Sequence, residues 1–325
     1  MSYHILVPDS VHKTAVQILQ VADGFKITAP GQMSRADTLA AIADADALII
    51  RSATKADAEL IQAAPRLKII ARAGVGVDNV DVTAANQQGV VVMNTPEGNT
   101  IATAEFTFGL ILALARHIPQ AYASLSSGKW DRKSYMGVEL RVKTLGIVGF
   151  GRIGRAVAKR ALAFEMNVIT HDPYIPVDIA EDFGVRLVSL DDLFAQSDFI
   201  TLHSLITPET RDMINKDSIA RMKKGVRIVN AARGALINEA DLAEAIKSGQ
   251  VAGAAVDVYS EEPPPAGHPL IGLPGVIHTP HLAASTEEAQ VAVAIEAAQL
   301  VVDALLKGEY KNVVNPGALG QGGPH

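Results

Sequence analysis

An apolar run, Leu145–Val148, opens directly into Gly149-Phe150-Gly151-Arg152-Ile153-Gly154. A helical stretch follows, then a second apolar run at Val168–Thr170, which stops at Asp172. This order of parts predicts a βαβ unit of the kind that holds a dinucleotide. Gly149 permits the tight turn, Gly151 lets the backbone approach a pyrophosphate, and Gly154 lets helix and strand pack closely. The helix N-terminus then offers N–H groups and partial positive charge to phosphates. Asp172 lies 18 residues past Gly154, where a carboxylate accepts ribose hydroxyls and repels a 2′-phosphate. No arginine follows in Asp172-Pro173-Tyr174, so the expected cofactor is NAD rather than NADP.

The rest of the chain suits that reading. Its 325 residues are enough for two domains, each with a core of its own. Hydrophobic residues make up 48% and charged ones 20%, the balance of a globular protein. Twenty-nine basic against 35 acidic side chains leave a net charge of −6 without a long basic run. Nucleic acid and anionic membranes are therefore not expected partners. With no cysteine, disulfides, cysteine metal sites and thiol catalysis are excluded, and a cytoplasmic location is expected. The opening MSYHILVPDS has neither a basic n-region nor a long apolar stretch, so no signal peptide is expected. Phe106–Ala115 is apolar but too short to span a bilayer, and reads as a buried helix.

Short apolar runs alternate with helical patterns along residues 1–93. Ile5–Val7, Leu48–Ile50, Leu67–Ala71 and Val90–Met93 read as buried strands, with a helix over residues 81–88 ending at Gly89. A break at Thr95–Asn99 precedes a long helix, Ile101–His117. After the dinucleotide unit, strands are expected at Phe199–His203, Arg227–Asn230, Val251–Val256 and Val276–Thr279. Asn238 and Gly249 frame a helix, residues 285–307 form a last long helix, and the Gly- and Pro-rich tail Gly317–His325 reads as disordered. The expected architecture is α/β, with two doubly wound parallel-sheet domains in sequence.

Three residues beyond the dinucleotide unit have the chemistry that hydride exchange with an alcohol needs: a base, a cation and a group that tunes the base. Arg233 follows the strand Arg227–Asn230, Glu262 follows Val251–Val256, and His281 follows Val276–Thr279. Strand ends of a parallel sheet share one edge, where ligands bind. On residues alone, each also fits a plainer part: a helix-end cation, a solvated loop acid and a turn histidine.

Several segments together resemble the D-2-hydroxyacid dehydrogenase family, and within it the phosphoglycerate branch. They are RAGVGVDNVD at 72–81, MNTPEGN at 93–99, GKWDRK at 128–133, GFGRIGR at 149–155, NAARGALINE at 230–239, AVDVYSEEPP at 255–264 and PHLAAST at 280–286, with RSATK at 51–55. The resemblance implies a Rossmann NAD domain at residues 99–282 and a flavodoxin-like substrate domain at 1–98 with 283–325. It implies Arg233 on the substrate carboxylate, His281 as acid–base at the C2 oxygen and Glu262 orienting His281. The same resemblance puts Arg152 and Ile153 at the pyrophosphate, Ser204 and Ala231 along the cofactor, and Asp257 at the nicotinamide carboxamide. Arg51 and Arg72 would take the substrate's anionic end, with Arg132 a weaker third cation. No metal is needed for direct hydride transfer. A homodimer or dimer of dimers is implied, with helix 101–117 in the interface.

The implied reaction is oxidation of 3-phospho-D-glycerate to 3-phosphooxypyruvate, or its reverse. Reduction of hydroxypyruvate or glyoxylate, or action on another 2-hydroxyacid such as sulfolactate, is the rival within the class. An NAD-sensing, corepressor-like binding protein is the rival outside it. Val75 stands where the family has Thr, which removes a hydroxyl, and Glu262 instead of Gln argues against the formate dehydrogenase branch. The chain stops near 325 without the C-terminal domain some relatives use to sense serine, so feedback by serine is not expected.

Overall fold

Five short runs rich in β-branched and aliphatic residues build the first of two parallel sheets in the computed structural model, which describes residues 2–320. They are β1 (Tyr3–Leu6), β2 (Phe25–Thr28), β3 (Ala47–Ile50), β4 (Ile69–Arg72) and β5 (Val91–Asn94). Their spatial order, β2-β1-β3-β4-β5, is the flavodoxin-like one. All pairs are parallel. The central β3 buries every residue, as a strand covered on both faces must.

The second sheet has seven strands: β6 (Thr144–Val148), β7 (Asn167–His171), β8 (Arg186–Leu187), β9 (Phe199–Leu202), β10 (Val226–Asn230), β11 (Val251–Val256) and β12 (Val276–His278). They run in the order β12-β11-β10-β9-β6-β7-β8. The described chain divides into two compact units, one through Asn99 and again from Ser285, the other Thr100–Ala284. Each contains one sheet, so both expected α/β layers are present.

Most helices begin where a short polar side chain takes up an otherwise unpaired N–H. Asp57, Asp81, Ser189, Asn215, Asn238 and Thr286 all do this. The Asn238 cap starts Glu239–Lys247, and Gly249 follows at φ +75°, a conformation open to glycine. In the first unit the helix Glu287–Val302 buries Val293, Ala294, Ala297 and Val301 in one core with Ile49, Ile69 and Ala71. It continues as a π-helical turn, Asp303–Lys307. Within the combined segment Glu287–Lys307, long and apolar enough to cross a membrane, an 18-residue window has a mean hydropathy of 1.6, and half of that window is buried inside the protein.

The structure corrects the reading of the tail. Pro316–Gly320 is a 3-10 turn whose Ala318 is 1% exposed, so this part of the tail has regular structure and is anchored through Ala318. The remainder of that expected disordered segment, residues 321–325, lies outside the described residues.

What positions the site is the register of the second sheet. Val148 pairs with His171 and Leu202, Leu202 with Asn230, Asn230 with Val256, and Val256 with His278. The carboxyl ends of β6, β7, β9, β10, β11 and β12 therefore form a level rim. Strand order reverses at β6 and β9, the topological switch point where open α/β sheets hold ligands.

Candidate active site

Gly149 leaves the end of β6 at φ +91°, a conformation that costs other residues free energy. A Cβ there would press on the His203 carbonyl at 2.7 Å. At Gly154 a Cβ would overlap the Gly149 carbonyl, so the helix Arg152–Ala163 can sit this close to the turn only with glycine. Gly151 differs: a Cβ there would meet nothing within 4 Å. It is the N-cap and makes no side-chain cap bond, so open space lies over a helix N-terminus. That arrangement fits a pyrophosphate, whose charge the helix end stabilises.

Asp172 follows β7 on the same rim. One of its carboxylate oxygens accepts the Phe150 N–H (2.8 Å) and the other the Tyr174 N–H (2.9 Å). A carboxylate has about four acceptor positions, so two hydroxyls can still be accommodated. Arg152 and Ile153 open the helix, and Ala231 is buried just past β10. The Ser204 hydroxyl donates to the Val148 carbonyl at 3.3 Å, so it braces the two strands at the switch point. His203 was not singled out from sequence. Burial pushes its imidazole down to about 4, leaving a neutral ring beside the glycine turn.

Arg233, Glu262 and His281 stand on the loops after β10, β11 and β12. His281 Nδ1 lies 2.7 Å from a Glu262 oxygen. The other Glu262 oxygen accepts the Tyr259 N–H at 3.1 Å. The Glu262 hydrogen bond holds the His281 imidazole above its ordinary range, against the opposing effect of burial. For Glu262, burial pushes the carboxyl up. The bonds from His281 and the Tyr259 N–H outweigh it, and the carboxyl titrates below the usual range. Positive charge at Arg233 lowers the pKa of both groups, so the guanidinium lies within electrostatic reach of the pair. The structure thus brings the three residues together. Below the imidazole's raised pKa the arrangement is a cation beside an imidazolium–carboxylate pair. Above it the imidazole is a neutral base with Nδ1 held by Glu262, and Nε2 can take the substrate proton.

His281 has φ +55°, a strained setting for a non-glycine residue. Asp257 provides the constraint that holds it there. Its backbone carbonyl accepts the His281 N–H at 2.8 Å. Its fully buried carboxylate accepts the Thr279 hydroxyl (2.6 Å), the Leu282 N–H (2.8 Å) and the Ala283 N–H (2.9 Å). The loop that carries His281 is wrapped around this one acid. No short-range pattern in the sequence signals that role, because the partners lie 22 to 26 residues away.

In the first unit, Arg51 and Arg72 stand at neighbouring strand ends. Ile50 pairs with Arg72, and Arg51 is the next residue after Ile50. The buried Asp9 fixes the turn by accepting the Arg51 N–H at 2.6 Å and the Thr54 N–H and hydroxyl. Arg72 folds over Gly74, where any Cβ would overlap its guanidinium. Arg132 lies in an exposed loop of the second unit. The Val75 carbonyl accepts the Asn94 amide at 2.6 Å.

Residues 108–283 match the D-isomer specific 2-hydroxyacid dehydrogenase, NAD binding domain. The chain belongs to that family. NAD is the cofactor of the matched domain, in keeping with the open turn at Gly151 and the acid at Asp172. The chain is 49% identical to a D-3-phosphoglycerate dehydrogenase of Archaeoglobus fulgidus over 96% of its own length. It is 50% identical to one of Methanocaldococcus jannaschii, also over 96%. It spans 59% of each of these relatives, about three fifths of their length. The crystal structure of a glyoxylate reductase from Paecilomyes thermophila superposes with a TM-score of 0.86 at 33% identity, covering 96% of this chain and 98% of that one.

Arg233, Glu262 and His281 thus form one cluster of a cation, a carboxylate and an imidazole in this family member. Two polar residues near them escaped the sequence reading. Glu239 accepts the Ser260 N–H of the Glu262 loop, and His268 Nε2 lies 3.0 Å from its Oε2.

Proposed function

We propose that this chain is an NAD-dependent oxidoreductase that moves a hydride between C2 of a D-2-hydroxyacid and nicotinamide. Its proposed substrate pair is 3-phospho-D-glycerate and 3-phosphooxypyruvate. The observation that carries the reading is the 2.7 Å contact of Glu262 with His281, within the field of Arg233 and on the same sheet edge as the glycine turn.

When bound, NAD supplies the hydride acceptor at nicotinamide C4. The chain's own residues do the rest. Arg233 binds the substrate carboxylate and the C2 oxygen by charge-assisted hydrogen bonds. Neutral His281 accepts the proton of the C2 hydroxyl during oxidation, and the imidazolium returns it during reduction. Glu262 keeps the ring oriented and favours its protonated form. Asp172 takes the ribose hydroxyls, Arg152 and Ile153 face the pyrophosphate, and Ser204 and Ala231 line the cofactor. Asp257, besides anchoring the His281 loop, is assigned to the carboxamide.

Arg51 and Arg72 are the proposed cations for the substrate's terminal phosphate. Their adjacent strand ends support this, since a dianion favours two or more charge-assisted partners. The curated relatives' phosphoglycerate activity supports the same substrate. A homodimer, alone or paired into a dimer of dimers, is proposed through the helix Thr100–Arg116 and its successor Ile118–Ser126. Ile118, Tyr122 and Leu125 on the latter are exposed apolar side chains. The cytoplasm is the proposed location.

Initial rates with NAD and NADP across 3-phosphoglycerate, glycerate, lactate, sulfolactate and 2-hydroxyglutarate test this. The expected outcome is the highest kcat/KM with 3-phosphoglycerate and NAD. Turnover of another acid with none of 3-phosphoglycerate would remove the phosphate assignment. No turnover of any acid would remove the dehydrogenase.

A further inference from the structure

The loop that carries Glu262 is held from behind by a second polar pair. Glu239 opens the helix Glu239–Lys247 with its side chain only 16% exposed. One of its oxygens accepts the Ser260 N–H at 2.9 Å. The other lies 3.0 Å from Nε2 of His268, whose side chain is 4% exposed. His268 Nδ1 accepts the Leu270 N–H at 3.3 Å, while the buried Nε2 lies beside the Glu239 carboxylate without a hydrogen bond to it. The His268 ring stands edge-on to Tyr259 at 5.4 Å.

Tyr259 in turn touches all three parts of the site. Its N–H donates to Glu262, and its hydroxyl donates at 3.0 Å to the carbonyl of Thr279, two residues before His281. Gly234, next to Arg233, packs so tightly on the Tyr259–Ser260 peptide that any Cβ would overlap it. A shift of this peptide therefore moves the supports of Arg233, Glu262 and His281 together.

We propose that Glu239 is a positioning residue: by holding the Ser260 N–H, with His268 against its other oxygen, it fixes the Tyr259–Glu262 loop and so the contact of Glu262 with His281. This rests on the acid–base reading of His281 given above. The ionisable groups that act on the imidazole are Glu262, Asp257 and Arg233. The proposed effect of Glu239 is on where Glu262 stands.

Two conservative variants separate this role from general stability. Glu239→Asp keeps the charge but withdraws the oxygen from Ser260. Glu239→Gln keeps the length and an acceptor. The readouts are the pH titration of the His281 imidazole by NMR, kcat with the best acid, and the thermal unfolding midpoint.

With Glu239→Asp, the imidazole midpoint is expected to fall toward the ordinary histidine value, and kcat to fall about tenfold with KM for NAD little changed. With Glu239→Gln, both should stay within about twofold of wild type, the natural scatter of a retained hydrogen bond. A wild-type midpoint and kcat in Glu239→Asp would overturn the proposal, and so would an equal loss in both variants. The NMR titration needs no substrate, so it remains decisive even if no tested acid turns over.

Discussion

With His281 replaced by alanine, kcat for 2-hydroxyacid oxidation falls by about 10² to 10⁴, while NAD still binds. The size follows from the role. Hydride can leave C2 only as the hydroxyl proton is taken up, and without the imidazole only water remains to take it. In the wild type, oxidation is expected to rise with pH as the imidazole loses its proton. Because Glu262 raises that pKa, the midpoint should lie above the ordinary value of about 6.5. Reduction needs the imidazolium, so its rate should fall over the same interval. Glu262→Gln should shift both profiles to lower pH. Near-native turnover in His281→Ala, or a profile unmoved by Glu262→Gln, would exclude this pair as the acid–base.

Arg233→Ala should rank second in effect. Losing one partner of a desolvated charge pair costs about 2–5 kcal/mol, which lowers kcat/KM for the acid by about 30-fold to several thousandfold. The loss should appear in both KM and kcat, because the guanidinium is assigned to the carboxylate and to the oxygen that changes charge. It has a second signature. Arg233 lowers the pKa of both His281 and Glu262, so its removal should move the oxidation profile to higher pH. Added guanidinium ion should restore part of the rate. Unchanged kcat/KM would free Arg233 of its role.

Much of this was legible in the chain because the signals are local. The glycine turn needs φ +91° at Gly149 and no Cβ at Gly154, constraints that only glycine relieves, so they are written into the sequence. Strand β3 is an unbroken apolar run for the same kind of reason, being buried on both faces. Arg233, Glu262 and His281 stand out as candidates because chemistry-bearing residues lie past strand ends.

Other features depend on contacts distant in sequence. Strand β2 is a half-exposed edge interrupted by Lys26, and its periodicity is too short to register. The ordered turn Pro316–Gly320 looked like a disordered tail because composition cannot report that Ala318 meets a core. Asp257 gives no local sign that donors from Thr279, Leu282 and Ala283 converge on its carboxylate. The contact of Glu239, on a helix, with His268, on a loop, joins residues distant in sequence and leaves no local pattern.

Transfer of label from substrate to cofactor is the sharpest test of what these side chains do together. 3-Phospho-D-glycerate carrying deuterium at C2 is incubated with NAD, and the reduced cofactor is examined by mass spectrometry and NMR. The expected result is one deuterium at nicotinamide C4 per turnover, with none released to water, and no such transfer by the Arg233→Ala, His281→Ala double variant. Reduced cofactor without deuterium, or label lost to solvent, would contradict direct hydride exchange at this sheet edge.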